Sequence, residues 1–401
     1  MKCYNTYEST FFCTHIKMQG ETKMGIDERN WNLEESPIYA MSLGSKELFH
    51  SNFWAWLMKT DSKFISIFFE GITECKAIKR EEKNRDITIH TNDGIYIIEN
   101  KIKSLPYVEQ LAKYQIAAGK NFKGGVIAAL KEPNFDCAAE YNVTVNKNKH
   151  NVKVVKDENK YSFEIDGTCS DKVWRFLSYT DIVLGIEDIE NIEKNNRNFD
   201  DSKTYIIDEY VRVTRGINDI ITQKIEENKD VFSLECPELH DLKDIYKKYK
   251  MSHFNECLRD YLRKNLKNYS GLQIVQDYSH DANLSIFYER EQEPGIRKRV
   301  GIQIEGKQYR RYAEFLGGNK RIEFEKYKEK NWFVNKENEY LNYGQGIKRK
   351  TGMRRDRCQY NGGIFVYQYW KLDDKTTNYK KLARVIKDDM KIAKDLIERD
   401  I

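Results

Sequence analysis

The stretch "RDITIHTNDGIYIIENKIKS", residues 85–104, decides the fold. Two alternating segments flank Asp93-Gly94, a dipeptide that favours the tip of a two-residue hairpin. Centred there, the hairpin sets Asp86 opposite Lys101 and Thr88 opposite Glu99. Side chains alternate along a strand, so Asp86, Thr88, Glu99 and Lys101 share one face. Directly opposed Cβ atoms lie about 5 Å apart and diagonal ones about 7–8 Å. Two carboxylates and an ammonium group are thereby placed within reach of one hard cation. The apolar run around Glu99 (Ile95, Ile97, Ile98, Ile102) marks a buried strand, where an uncompensated carboxylate is costly.

Upstream, "GSKELFHSNFWAWLMKT" (44–60) carries Leu48, Phe49, Phe53, Trp56 and Leu57 at helical spacing, with Glu47 in the first turn. Downstream, "LPYVEQLAKYQIAAGK" (105–120) predicts a helix behind Pro106, with Gln110 and Tyr114 one turn apart on one face. "GGVIAALKE" (124–132) predicts a buried strand. The resulting order is helix, hairpin, helix, strand. Residues 140–172 alternate and read as a β insertion, and 173–189 as a helix. Two long helices are expected at 204–228 and 238–267, β-rich sequence from about 270, and a closing helix near 377–399. The chain divides into an N-terminal extension (1–43), a core (44–195) and a C-terminal α+β part (200–401), split at the polar run near 195–205.

This pattern resembles the PD-(D/E)XK nuclease superfamily. "RDITI…IIENK" is similar to its D-x(n)-E-x-K signature, with Arg85 where the signature has proline. Glu47 corresponds to the glutamate many members carry on the first core helix, and "QLAKY" to the Q-x-x-x-Y of several branches. "LSYTDIV" is similar to a later helix of bacterial members. The resemblance spans roughly residues 44–190. It implies an α/β, restriction-endonuclease-like core: a mixed central sheet flanked by helices. It further implies a nuclease dependent on Mg²⁺ or Mn²⁺. Asp86, Glu99, Glu47 and the backbone carbonyl of Asn100 would bind the metal. Lys101 would serve the nucleophile and Gln110 support catalysis. Mg²⁺ chemistry suits such a site, because the ion takes few carboxylates, keeps waters and accepts phosphate oxygens. DNA is favoured over RNA, and restriction or antiviral defence is the implied setting. The bland readings are a solvated Asp86–Lys101 pair, a Glu47 that merely complements the helix dipole, and a Gln110/Tyr114 face that only packs. A non-catalytic nucleic-acid-binding or scaffold subunit on the same fold is the alternative function.

The totals fit this class. The chain has 401 residues, 33% of them charged, and 8 dispersed cysteines without a C-x-x-C pair. That spacing argues against a disulfide scaffold or zinc ribbon and favours reduced thiols, so a cytoplasmic setting is expected. No apolar run is long enough to span a membrane. Charge is uneven: residues 295–358 hold 18 Lys+Arg against 8 Asp+Glu, whereas the whole chain is only +5. Lys348, Arg349, Lys350, Arg354, Arg355 and Arg357 in "GIKRKTGMRRDRC" are therefore assigned, with Tyr114, to nucleic-acid binding. Tyr309, Tyr312, Tyr327, Trp332 and Tyr343 among these charges read more as core than as stacking surface. A homo-oligomer or partner proteins are compatible with the sequence. A second E-x-K, Glu305 and Lys307 followed by Gln308 and Tyr312, is a decoy: no tight hairpin ties it to the upstream Asp281.

Overall fold

The computed structural model describes residues 36–41, 43–44, 46–72, 74–195, 201–234, 242–277, 282–317, 322, 324–333, 347–349, 358–360, 363–372 and 377–399. It is a mixed α/β chain with two sheets. After a short turn of helix, α1 (Pro37–Ala40), comes α2 (Glu47–Thr60), then a single helical turn, α3 (Ile65–Phe68). Three antiparallel strands follow: β1 (Ala77–Glu82), β2 (Arg85–His90) and β3 (Ile95–Lys101). Helix α4 (Val108–Ala118) crosses to β4 (Phe122–Ala129), which lies parallel to β3. Next come β5 (Glu140–Val145), β6 (Asn148–Asp157), β7 (Lys160–Ile165) and β8 (Thr168–Ser178). The sheet order is β1-β2-β3-β4-β8-β7-β6-β5, so the insertion extends the central sheet, and β8 returns parallel to β4.

Residues 173–178 are therefore strand, not the start of a helix; α5 (Tyr179–Asn195) begins only at Tyr179. "VWRFLS" is too short for periodicity to decide, and pairing with β4 and β7 decides it.

One face of this sheet packs on α4, through Ile97, Val108, Leu111, Ala112, Ile127 and Trp174. The other face carries Ile87, Ile89, Ile98, Val126 and Ala128 under α2 and α5. Helix α6 (Asp201–Glu227) joins this second layer, burying Ile207, Tyr210, Val213 and Ile217. The core thus runs past the polar stretch where the sequence suggested a division. Gly125 sits where a Cβ would lie 2.2 Å from the Trp174 ring, so the close pairing of β4 with β8 requires glycine.

Helix α7 (Lys243–Asn265) leads to an antiparallel sheet of β9 (Leu272–Asp277), β10 (Asn283–Glu293), β11 (Ile296–Glu305) and β12 (Gln308–Leu316). After α8 (Phe324–Glu329) come β13 (Ile347–Arg349), β14 (Cys358–Tyr360) and β15 (Gly363–Leu372), then α9 (Tyr379–Glu398). The order is β13-β15-β12-β11-β10-β9, with β14 also on β15. Tyr309, Tyr327 and Trp332 lie in its core under α7 and α9, and Tyr312 is buried on the opposite face. Tyr343 and Asp281 lie outside the described residues. No helix among the described residues is long and apolar enough to cross a membrane.

Candidate active site on the β2–β3 hairpin

The hairpin forms, with a register two residues from the expected one. Thr91 N–H donates to Gly94 O at 2.9 Å, which makes Asn92-Asp93 the tip. Thr91 Oγ1 accepts from Gly94 N–H and donates to Asp93, fixing that turn from within. Ile87 then pairs with Ile98 and Thr88 with Ile97, and continuing the register sets Asp86 opposite Glu99, not Lys101. A slip of two preserves the faces, whereas a slip of one would have reversed them. Asp86, Thr88, Glu99 and Lys101 still share the α4 side.

The ladder stops at Ile87 because Asp86 uses its side chain: its Oδ2 accepts the Asn100 N–H at 2.6 Å. Glu99 Oε1 accepts from Lys101 Nζ at 2.8 Å and from Gln110 Nε2 at 2.7 Å. The ion pair is thus Glu99–Lys101, and it is buried, with side chains 2% and 10% exposed. That replaces the solvated Asp86–Lys101 pair. Three polar atoms of this face are buried without a hydrogen-bond partner: Glu99 Oε2, Gln110 Oε1 and Thr88 Oγ1.

Burial drives the electrostatics. It pushes the Asp86 carboxyl up to about 6 against the Asn100 N–H and the Lys101 charge, with Glu47 and Glu81 adding repulsion. It pushes Glu99 up to about 8, with Lys101 opposing and Asp86 adding. Burial alone would lower Lys101, but the adjoining Glu99 carboxylate outweighs it and holds the ammonium above its ordinary range. Burial thus resists ionising both carboxyl groups beside the one lysine.

Helix α4 brings Gln110 and Tyr114 together as the i,i+4 spacing required. Gln110 Nε2 also donates to Tyr114 Oη at 2.8 Å, and Tyr114 Oη donates to Asn84 O. Tyr114 is buried and faces inward, so it holds Gln110 in place; the expectation that its ring meets nucleic acid is corrected. Arg85, at the signature-proline position, is buried with Nη2 donating to Tyr114 O at 3.3 Å.

Glu47 opens α2 and points at the site's edge. Its Oε1 accepts from Lys103 N–H at 3.0 Å, Ser104 N–H at 2.8 Å and Ser104 Oγ at 2.7 Å. It braces the chain leaving β3 while its charge reaches Asp86 and Glu99. The Asn100 side chain turns the other way: Nδ2 donates to Glu47 O and Ser51 Oγ at 2.7 and 3.1 Å, and Oδ1 accepts from Tyr179 Oη at 2.5 Å. It ties β3 to α2 and α5. Ser51, Ser104 and Tyr179 were missed in the sequence, which contains no local signal for contacts this remote.

Two histidines, His50 and His90, bond outside this cluster. His50 is a core residue, hydrogen-bonded to Tyr210 Oη at 2.8 Å and Gly44 O at 2.9 Å. Its burial lowers it to about 4. His90 pairs with Glu82 at 2.8 Å. Lys348 and Arg349 lie on β13, while Lys350, Arg354, Arg355 and Arg357 fall outside the described residues.

Among the described residues no group of three or more His, Cys, Asp or Glu is gathered closely enough to hold a metal ion by itself. A Mg²⁺ site needs less, because one or two carboxylates suffice where water and phosphate oxygens complete the octahedron. The residues fit such an ion: two carboxyl groups beside one lysine, one with an oxygen that no protein group satisfies. No family model, curated protein or solved structure matches this chain.

Proposed function

We propose that the chain is a divalent-metal-dependent nuclease of the PD-(D/E)XK type, with DNA as the favoured substrate over RNA. One observation carries this reading. Asp86, Glu99 and Lys101 share one face of the hairpin, the last two buried and Asp86 half-buried, and Glu99 keeps an unpartnered oxygen there. The order of α2, three antiparallel strands, α4 and parallel β4 supports a restriction-endonuclease-like core.

Asp86 and Glu99 would hold the Mg²⁺ or Mn²⁺. When bound, the ion would acidify water and offset charge on the phosphoryl oxygens. Gln110 holds Glu99 Oε1, which leaves Oε2 for the ion. Lys101 supplies a fixed ammonium beside Glu99, where charge develops as water adds to phosphorus and the ester oxygen departs. Glu47 and Asn100 keep the end of β3 in place. Lys348–Arg357 would add sequence-independent phosphate contacts. Restriction or antiviral defence would be a suitable setting.

The test is cleavage of linear, circular and single-stranded DNA and of RNA with Mg²⁺ or Mn²⁺. Wild type is compared with Asp86→Ala and Lys101→Ala. Cutting that depends on metal and is lost in both variants supports the enzyme. Equal cutting by all three removes the hairpin from catalysis, and binding without cutting leaves the scaffold reading.

A further inference from the structure

Lys101 is the last residue of β3, and its pairing with Ala129 ends the β3–β4 ladder. Beyond that pair a hydroxyl from a distant part of the chain takes over. Tyr249 Oη donates to Lys101 O at 2.5 Å and accepts from Leu130 N–H at 3.3 Å. One phenol therefore closes the ends of both strands. It is fully buried, and it lies on α7.

Helix α7 has two allegiances. Ile245, Tyr246 and Tyr249 pack in the first core, and Met251, Phe254, Leu258 and Leu262 in the second. Along the same helix, Glu256 pairs with Lys131 at 2.5 Å and Arg259 donates to Asn134 O at 3.0 Å. Arg263 donates to Asp136 at 3.0 Å. The segment leaving β4 is thus tied to α7 at three further points.

We infer that Tyr249 is a positioning residue for Lys101, through which the C-terminal half sets the site on the β2–β3 hairpin. A strand end without ladder partners frays readily, and a lysine carried on it loses its fixed place. The phenol removes that freedom at the residue whose ammonium meets Glu99. The inference rests on the nuclease reading for the role of Lys101, but the placement itself can be measured without any activity.

The experiment is amine-reactive labelling of the full chain, read by mass spectrometry at Lys101, in wild type, Tyr249→Phe and Tyr246→Phe. Tyr246, one turn earlier, hydrogen-bonds Ser233 O instead and serves as the control. Tyr249→Phe is expected to label Lys101 about 5-fold faster through local opening, with Tyr246→Phe unchanged. Lys298, fully buried in the second core, reports on the global fold. Unchanged labelling of Lys101 in Tyr249→Phe overturns the inference. Should Lys298 also gain label, the wild-type Leu130 amide decides. Exchange as slow as that of the β4 interior supports the phenol bridge, and free exchange refutes it.

Activity gives an independent arm. Tyr249→Phe should lower kcat roughly tenfold with KM little changed, and Lys101→Ala/Tyr249→Phe should be no worse than Lys101→Ala. Additive losses in that cycle overturn the inference. A wild type that cuts nothing defeats the nuclease reading, and labelling then still decides whether Tyr249 positions Lys101.

Discussion

Two buried carboxylate–cation pairs lie in different halves of this chain, and their surroundings differ. Asp389 on α9 meets Arg311 on β12, with side chains 2% and 3% exposed. Asp389 Oδ2 accepts from Tyr309 Oη at 2.5 Å and from Arg311 Nε at 2.9 Å. Arg311 Nη1 donates onward to Asn331 O and Trp332 O at 3.0 and 3.1 Å. Glu99 is as deeply placed and Lys101 nearly so, yet Glu99 Oε2, Gln110 Oε1 and Thr88 Oγ1 around them have no partner. A satisfied buried pair is built for stability once its partners are in place. A pair with acceptors left over, beside a second carboxylate, costs stability and is what the proposed metal site would use. The first is fully satisfied within the fold, and the second leaves buried polar atoms that the fold does not satisfy.

The largest effects should separate the two pairs by assay. Asp86→Ala should reduce metal-dependent cleavage on the order of 10³-fold, by removing charge preorganised for the transition state. Asp389→Asn should destabilise the fold by about 3–5 kcal/mol, because Arg311 is left buried without its counter-charge. Denaturant unfolding of both variants reads the second effect. If Asp86→Ala proves as destabilising as Asp389→Asn, the distinction between site and scaffold collapses. Next in size, Gln110→Ala should cost about 10–100-fold in activity or metal affinity, as loss of a group orienting a ligand does. Mn²⁺ titration checks the affinity.

The pH dependence of stability sharpens the contrast further. Glu99 is lifted from its ordinary 4.5 to about 8 in the folded chain. The native state therefore holds a proton that the unfolded state has released between those values. In buffer free of divalent ions, this group's contribution to stability falls as pH rises through that window and levels off above about 8. Glu99→Gln removes the slope, so the variant should gain on wild type from pH 5 to pH 8. Parallel curves across that range would mean that Glu99 is not held protonated by burial.

Much of this was legible in the sequence, for reasons that belong to particular residues. Asp86, Glu99 and Lys101 sit at strand spacing, and Gln110 and Tyr114 at helical spacing, so local periodicity alone put them on common faces. The register slipped by two because Thr91, and not the Asp-Gly pair, closes the turn. Local rules could not reach Tyr179 or Tyr249, which meet Asn100 and Lys101 from 79 and 148 residues away. Nor could they place α6, whose buried stripe joins the first core across a polar connection.

The smallest expected effect tests how far a motif can be read without its fold. Glu305 and Lys307 repeat the E-x-K spacing, but they flank Gly306 at the tip of the β11–β12 hairpin, where Glu305 pairs with Gln308 across the turn. Glu305 bonds Arg310 and is 37% exposed, and Lys307 O accepts from Leu372 N–H at 2.8 Å. Residues at i and i+2 share a face only inside a strand, and a turn between them breaks that relation. Glu305→Gln and Lys307→Ala should therefore leave cleavage within about twofold of wild type and stability within about 0.5 kcal/mol, as surface changes do. A loss comparable to that of Asp86→Ala would move the chemistry into the second sheet and leave the Glu99–Lys101 pair as a strained but idle part of the core.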